Sequence, residues 1–286
     1  MNILITGASS ALGQSLIKEF LQKFPQAWIL ALSRTKLNIA SSRVEYLHHN
    51  LEKDIFRRSE KFDFVIHAAS IVPNKAENDG DFIRINCEGS LRLFQEIIFN
   101  RSASILNISS SSVYHEPSST TLTENSRKTQ DDLYGISKLK FESMLVNHFR
   151  GLDLNILTCR IPVLLVKNVQ NNFLADWVAA LSNNNKIKLF NPDDLFNACV
   201  SAKDIFQFFI NFSQQYEKKN LTCNLSSSHP ISIQELALHT MACFGKKTGV
   251  IVQKSAEPSQ LISNQLAIDH GFKPSSVEDS IKSLFE

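Results

Sequence analysis

Tyr134 and Lys138, four residues apart in Tyr134-Gly135-Ile136-Ser137-Lys138, carry the plainest chemistry in this sequence. On an α-helix, positions i and i+4 share a face, so the ammonium can stand beside the phenol. A phenol ionises near pH 10 and moves a proton at neutral pH only when a neighbouring cation favours its anion. The pair reads as a general acid/base with a cationic helper. Upstream, Ile108-Ser109-Ser110-Ser111-Ser112-Val113-Tyr114 closes an apolar run, with Ser110 standing 24 residues before Tyr134. A strand ending there would present hydroxyls at the carboxyl edge of an α/β sheet, where such sheets bind ligands. Ser111 and Ser112 also suit ordinary turn chemistry. The third constellation is the start of the chain, where Asn2 to Ile5 runs into Thr6-Gly7-Ala8-Ser9-Ser10-Ala11-Leu12-Gly13. A strand, a glycine turn and a helix opening bring free N–H groups and a helix dipole to one point, a ready site for a pyrophosphate. Gly7 permits the tight turn and Gly13 a close helix–sheet contact, while Ser10 occupies the place of the middle glycine. Gln14 stands where a nucleoside-triphosphate loop needs its lysine.

These residues need a scaffold, and the rest of the chain supplies one. Leu12, Leu16, Ile17, Phe20, Leu21 and Phe24 recur at helical spacing before Pro25. Short apolar runs at Trp28 to Leu32, Val44 to Leu47, Phe62 to Ile66, Ala103 to Ile108 and Leu154 to Arg160 read as strands. Helical periodicity covers about Phe82 to Phe99 and Asp132 to Phe149, with Asp131 and Asp132 placed to cap the second. Strands alternating with helices predict right-handed βαβ units and a doubly wound parallel sheet, a Rossmann-like α/β fold. The alternation loosens after Val166, so residues 1–165 are expected to form a cofactor-binding domain. Residues 166–286 are expected to form mainly a smaller α/β substrate domain, with some segments returning to the sheet.

Composition excludes several function classes. The 286 residues are 43% hydrophobic and 20% charged with a net charge of +2, so no bulk field recruits nucleic acid or an anionic membrane. No apolar run is long enough to span a bilayer. The first residues enter an apolar strand without a basic leader, so neither a signal peptide nor membrane insertion is expected. Five dispersed cysteines without a CxxC read as buried free thiols in a reducing, cytoplasmic setting. His48-His49 lacks partners at metal-ligand spacing and reads as a strand end, so no metal is expected. His67 closes the fourth strand and reads as structural. Lys218-Lys219 and Lys246-Lys247 read as solvated pairs.

Taken in order, the segments resemble the extended short-chain dehydrogenase/reductase superfamily, in its nucleotide-sugar epimerase, dehydratase and reductase branch. Thr6 to Gly13 resembles the cofactor turn, and Val65-Ile66-His67-Ala68-Ala69-Ser70 the fourth-strand signature. Asn86-Cys87-Glu88-Gly89-Ser90 resembles the NxxGT element, the serine run the catalytic strand, and Tyr134 to Glu142 the Tyr–Lys helix. Arg160-Ile161-Pro162 resembles the segment backing the nicotinamide, and the stretches from Cys223 and His270 resemble C-terminal elements. The resemblance implies that Tyr134 is the general acid/base, that Lys138 assists it and holds the nicotinamide ribose, and that Ser110 polarises the substrate carbonyl. Asn86 would support the active-site helix or a proton relay. Cofactor contacts are implied for Gly7, Ser9, Ser10, Ala11, Leu12, Gly13, Ser33, Arg34, Asn50, Leu51, Ala68, Ala69, Ser70, Ile161 and Pro162. The resemblance also implies a homodimer pairing two helices per subunit, with Phe141 and Leu145 as candidate surface residues.

Two departures refine the expectation. Val163 stands where many epimerases carry a sugar-contacting asparagine. At the end of the second strand, where NAD-binding chains carry an acid for the ribose, this chain has Ser33-Arg34, which can hold a 2′-phosphate. The expected activity is therefore an NADP-dependent reductase of a nucleotide-linked 4-keto-6-deoxy sugar in polysaccharide biosynthesis, with NAD as the other cofactor to be weighed. The alternatives are an NAD(P)-dependent nucleotide-sugar epimerase and, from another class, a cofactor-sensing protein that has lost catalysis. The Ser110, Tyr134 and Lys138 set speaks against the last.

Overall fold

Seven strands, none stable alone, become one sheet because both its faces are covered. The computed structural model describes residues 1–37, 39–115, 121–168, 172–214, 220–246, 249–254 and 259–285, so Lys218, Lys219 and Lys247 lie outside the described residues. Strand β1 (Asn2–Thr6) leads into α1 (Ala11–Lys23), then β2 (Trp28–Ser33), β3 (Val44–His48) and β4 (Lys61–His67). A π-helical segment, Phe82–Gly89, runs on as α2 (Ser90–Glu96), followed by β5 (Ile98–Ser110), α3 (Leu133–His148) and β6 (Asn155–Ile161). Beyond these lie β7 (Val163–Leu165), α4 (Phe173–Ser182), β8 (Ile187–Phe190), β9 (Leu195–Phe196), β10 (Cys199–Ser201), α5 (Ala202–Ser213) and β11 (Asn220–Asn224). The described chain closes with β12 (Ile231–Ser232), α6 (Ile233–Phe244), β13 (Val250–Gln253), α7 (Gln265–Asp269) and α8 (Val277–Lys282).

The main sheet has the order β11-β6-β5-β4-β1-β2-β3, and every pair in it is parallel. The chain builds outward from β1 through β2 and β3, then returns to the other side with β4. The crevice between β1 and β4 is thus the topological switch point. Each residue of β6 is buried, as a strand covered on both faces must be. On one face α1 and α5 meet through Phe20 and Phe206, rings edge to face at 4.9 Å. On the other, α2 and α3 bring Phe94, Phe141 and Phe149 onto Ile105 and Ile156. A separate core forms around Leu174, Trp177, Leu236 and Val277 from α4, α6 and α8.

Local chemistry sets the element ends. Ser10 caps α1, its hydroxyl accepting from Gly13 N–H at 3.0 Å, and Pro25 stops the helix. Asp132 caps α3 by accepting from Tyr134 N–H at 3.0 Å, whereas Asp131 accepts from the Thr129 hydroxyl instead of capping. Three further expectations need correction. The helical reading through Phe99 overruns, because Ile97 is already extended and Ile98 opens β5; the apolar run Ile97-Ile98-Phe99 fits either period. Phe141 and Leu145 face their own sheet, 2% and 0% exposed, on the inward face that Lys138 shares, so no dimer can use them. Cys243 is exposed, although the other four thiols are buried as expected.

Candidate active site

The turn after β1 is built around two close backbone approaches. Gly7 has φ +65°, and a Cβ there would come within 2.7 Å of the Ala68–Ala69 peptide. A Cβ on Gly13 would stand 2.4 Å from the Gly7 carbonyl. Both positions therefore require glycine for space, and Gly7 requires it for conformation as well. These contacts bring the start of α1 to the carboxyl ends of β1 and β4 beside a cleft of about 430 Å³. Gly7, Ser9, Ser10, Ser33, Arg34, Asn50, Leu51, Ala68, Ala69 and Ser70 all line it. Ala11, Leu12, Gly13, Ile161 and Pro162 do not. Leu12 turns its side chain into the core, and Ile161 is the sheet partner of Ser110.

The polar character of the cleft is specific. Its described lining contains no carboxylate; its cations are Arg34 and Lys75, and Lys75 has no counterpart among the expected residues. Arg34 is exposed and has no hydrogen-bond or ion-pair partner among the described residues. Ser33 donates its hydroxyl to the Thr35 carbonyl at 2.6 Å, which leaves Arg34 as the free donor at this strand end.

The NxxGS element positions three sides of the site at once. Asn86, buried, accepts from Ile71 N–H at 2.7 Å and donates to the Ile71 carbonyl at 3.1 Å and the Ser137 hydroxyl at 3.0 Å. It thereby ties the cleft wall to α3 through Ser137, whose hydroxyl donates to the Tyr134 carbonyl at 2.7 Å. Gly89 admits the Leu51 carbonyl, which a Cβ would approach within 2.4 Å. Ser90 Oγ lies 3.0 Å from His67 Nε2, and His67 Nδ1 lies 2.9 Å from Thr6 Oγ1. Ser90 donates to the Ile85 carbonyl and Thr6 Oγ1 accepts from Ala69 N–H, a pattern that the neutral Nε2–H imidazole satisfies. Burial, reinforced by the Lys138 charge, pushes the His67 imidazole down to about 3. Unfolding frees it to take a proton below about pH 6.5, so the unfolded state binds more protons and stability falls as pH drops through that value. Wild-type unfolding free energy should therefore fall by about 1 kcal/mol from this group between pH 7 and pH 5.5. Urea titrations at both pH values test this, and His67→Asn should remove that component; an unchanged pH dependence would contradict it.

On α3, Lys138 is buried and its ammonium donates to the Ile108 carbonyl at 3.0 Å, with the Tyr134 ring centroid 5.7 Å away. Tyr134 is half-buried against the Phe82 ring. Ser110, at the end of β5, accepts from Ser112 N–H at 3.1 Å. Gly135 brings α3 against the turn after Ser110 so closely that a Cβ would meet the Ser112 carbonyl at 2.0 Å. Beneath them lies a buried cluster that sequence reasoning missed, Ser109, Glu142, Arg160, Tyr114 and Asn224. Its signal was the Glu142 spacing, one helical turn beyond Lys138. A second cavity, of about 660 Å³, lies in the C-terminal part between α4 and β8, lined by Phe173, Trp177 and Phe190 with Lys186, Lys188, Asp176 and Asp194. Among the described residues, no group of three or more His, Cys, Asp or Glu could hold a metal ion, and no helix is long and apolar enough to cross a membrane.

A parallel doubly wound sheet with a glycine turn and a cleft at its switch point defines a dinucleotide-binding α/β protein. The chain belongs to the NAD dependent epimerase/dehydratase family, whose model it matches over residues 3–222. The family is one of NAD-dependent enzymes of the extended short-chain dehydrogenase/reductase type. The chain is 26% identical over 216 residues to the uncharacterized protein y4nG of Sinorhizobium fredii, covering 72% of this chain and 54% of that one. It is 28% identical over 160 residues to UDP-glucose 4-epimerase of Yersinia enterocolitica, covering 51% and 48%. The chain thus spans about half the length of these curated relatives. Its fold matches UDP-glucuronic acid 4-epimerase from Bacillus cereus in complex with NAD, with TM-score 0.82, 16% identity and coverage of 100% and 97%. It also matches UDP-N-acetylglucosamine 4-epimerase from Methanobrevibacter ruminantium M1 in complex with UDP-N-acetylmuramic acid, with TM-score 0.82, 17% identity and coverage of 99% and 96%.

Proposed function

We propose that the protein is an NADP-dependent reductase of a nucleotide-linked keto sugar. The observation that carries this reading is the cleft, where Arg34 and Lys75 stand without an opposing carboxylate. The cofactor supplies hydride chemistry when bound. Gly7, Ser9 and Ser10 would present the turn to its pyrophosphate, Asn50 and Leu51 would flank the adenine side, and Ala68 to Ser70 the ribose. Lys138 would hold the nicotinamide ribose, Ser110 would donate to the substrate carbonyl oxygen, and Tyr134 would give that oxygen its proton. The aromatic lining of the second cavity, Phe173, Trp177 and Phe190, suits the base of a nucleotide, while its two lysines stand with Asp176 and Asp194. Residues 1–165 would form the cofactor domain, with 166–286 mainly the substrate domain; β11 joins the main sheet, and α5 and α7 join its cover.

An NAD(P)-dependent nucleotide-sugar epimerase is the second reading, favoured by the likeness to epimerase structures. Incubation with NADPH and a panel of nucleotide-linked keto sugars separates the two. Stoichiometric NADPH oxidation with an alcohol product supports the reductase. Interconversion of nucleotide sugars without net oxidation supports the epimerase.

Cofactor preference gives a direct measurement. Arg34 can meet a 2′-phosphate with two parallel charge-assisted hydrogen bonds, weakened by its exposure. NADPH should bind roughly ten- to a hundredfold tighter than NADH, about 1.4–2.8 kcal/mol. Arg34→Ala should erase most of that difference and leave NADH affinity nearly unchanged. Fluorescence titrations of both cofactors on both proteins read this out, and equal wild-type affinities would put the epimerase first.

A further inference from the structure

The buried cluster beneath the serine strand is more than a core feature. Glu142 receives Arg160 through two hydrogen bonds, Nε to Oε1 at 3.1 Å and Nη2 to Oε2 at 2.7 Å. The Ser109 hydroxyl donates to the same Oε1 at 2.5 Å. Arg160 Nη1 donates to the Tyr114 hydroxyl at 2.9 Å, which donates in turn to Asn224 Oδ1 at 2.6 Å. Glu142 and Arg160 are each 7% exposed, and Ser109 is 2% exposed.

Desolvating such a pair costs about as much as its attraction returns, and apolar residues of similar volume often serve stability as well or better. What charged forks supply is direction. Three successive residues of β5 divide the work. The Ile108 carbonyl accepts from Lys138, the Ser109 hydroxyl binds Glu142, and Ser110 closes the strand at the site. Lys138 and Glu142 are four residues apart on one helix face, so two anchors fix both the height and the rotation of α3 against the strand. Arg160 adds the third element, since it is the sheet partner of Ser109 while Ile161 is the partner of Ser110.

We propose that Glu142, oriented by Arg160, is the positioning residue that sets Lys138 and Tyr134 against Ser110. The consequence for turnover rests on the function proposed above; the geometric consequence does not. The mildest test is Ser109→Ala, which removes one anchor and keeps the charge pair, with Glu142→Gln as the stronger variant. Turnover of the keto sugar should fall about tenfold in Ser109→Ala and further in Glu142→Gln, with substrate KM within twofold of wild type. Crystal structures of wild type and Ser109→Ala provide a readout free of substrate, and the Lys138 Nζ to Ile108 carbonyl contact should lengthen beyond hydrogen-bond distance. An unmoved Lys138 overturns the proposal, as does unchanged kcat in a folded variant, or a rise in KM that accounts for the loss. If wild type turns over no nucleotide sugar, the functional reading falls while the crystal comparison still decides the positioning role. Should Glu142→Gln not fold, Ser109→Ala alone decides between these outcomes.

Discussion

Tyr134→Phe should lower turnover about a hundredfold or more and leave NADPH affinity within a factor of about two. The phenylalanine keeps the ring against Phe82, so the first turn of α3 retains its packing and its Asp132 cap. Lys138 keeps its bond to the Ile108 carbonyl, so the cofactor side of the site is undisturbed. Only the hydroxyl is lost, and on the proposed function it is the proton donor to the carbonyl oxygen. Steady-state kinetics with NADPH and a keto sugar, alongside cofactor titration, separates these effects. Turnover within threefold of wild type would remove Tyr134 from the chemistry. Loss of cofactor affinity as large as the loss of rate would mean that the phenol binds and does not protonate.

Gly135→Ala should damage the site by geometry alone. The added Cβ would lie 2.0 Å from the Ser112 carbonyl oxygen and 2.7 Å from Thr129 Cγ2. The carbonyl is backbone and cannot rotate away, so either the start of α3 or the Ser111–Val113 turn must shift. Overpacking of this kind costs about 1–3 kcal/mol. The shift falls between Ser110 and Tyr134, and a displacement of about 1 Å between reacting groups can cost a hundredfold in rate. Urea unfolding and kinetics on one preparation test both effects. Wild-type stability together with wild-type turnover would show that α3 and the serine strand are not in this close contact.

The candidate site residues could be picked out because their signals are local. A strand followed by Gly7 and a capped helix, a tyrosine four residues before a lysine, and hydroxyls at a strand end all lie within one or two turns of chain. The alternation of strands and helices likewise follows from hydrophobic period, which one stretch of sequence displays without reference to another. The boundary of α2 was misread at Ile97-Ile98-Phe99 because a continuous apolar run satisfies both periods.

Tertiary structure decided whatever depends on two distant segments meeting. The order that puts β1 beside β4, and so opens the cleft, comes from which buried faces pack together, which short-range propensity does not encode. Asn86 could be singled out by its motif, but its hold on Ile71 and Ser137 exists only once three elements converge. Gly89 and Gly135 look like ordinary helix glycines until the Leu51 and Ser112 carbonyls arrive against them. Phe141 and Leu145 carry no sequence mark that distinguishes a core face from a dimer face; the sheet beneath α3 made that choice. Glu142 and Arg160 lie 18 residues apart, and neither is a charge that sequence alone would bury. By themselves the residues specified the candidate groups and the elements that carry them. Their alignment into one site followed from long-range packing, because only the folded chain determines which backbone carbonyls, buried charges and small residues come into contact.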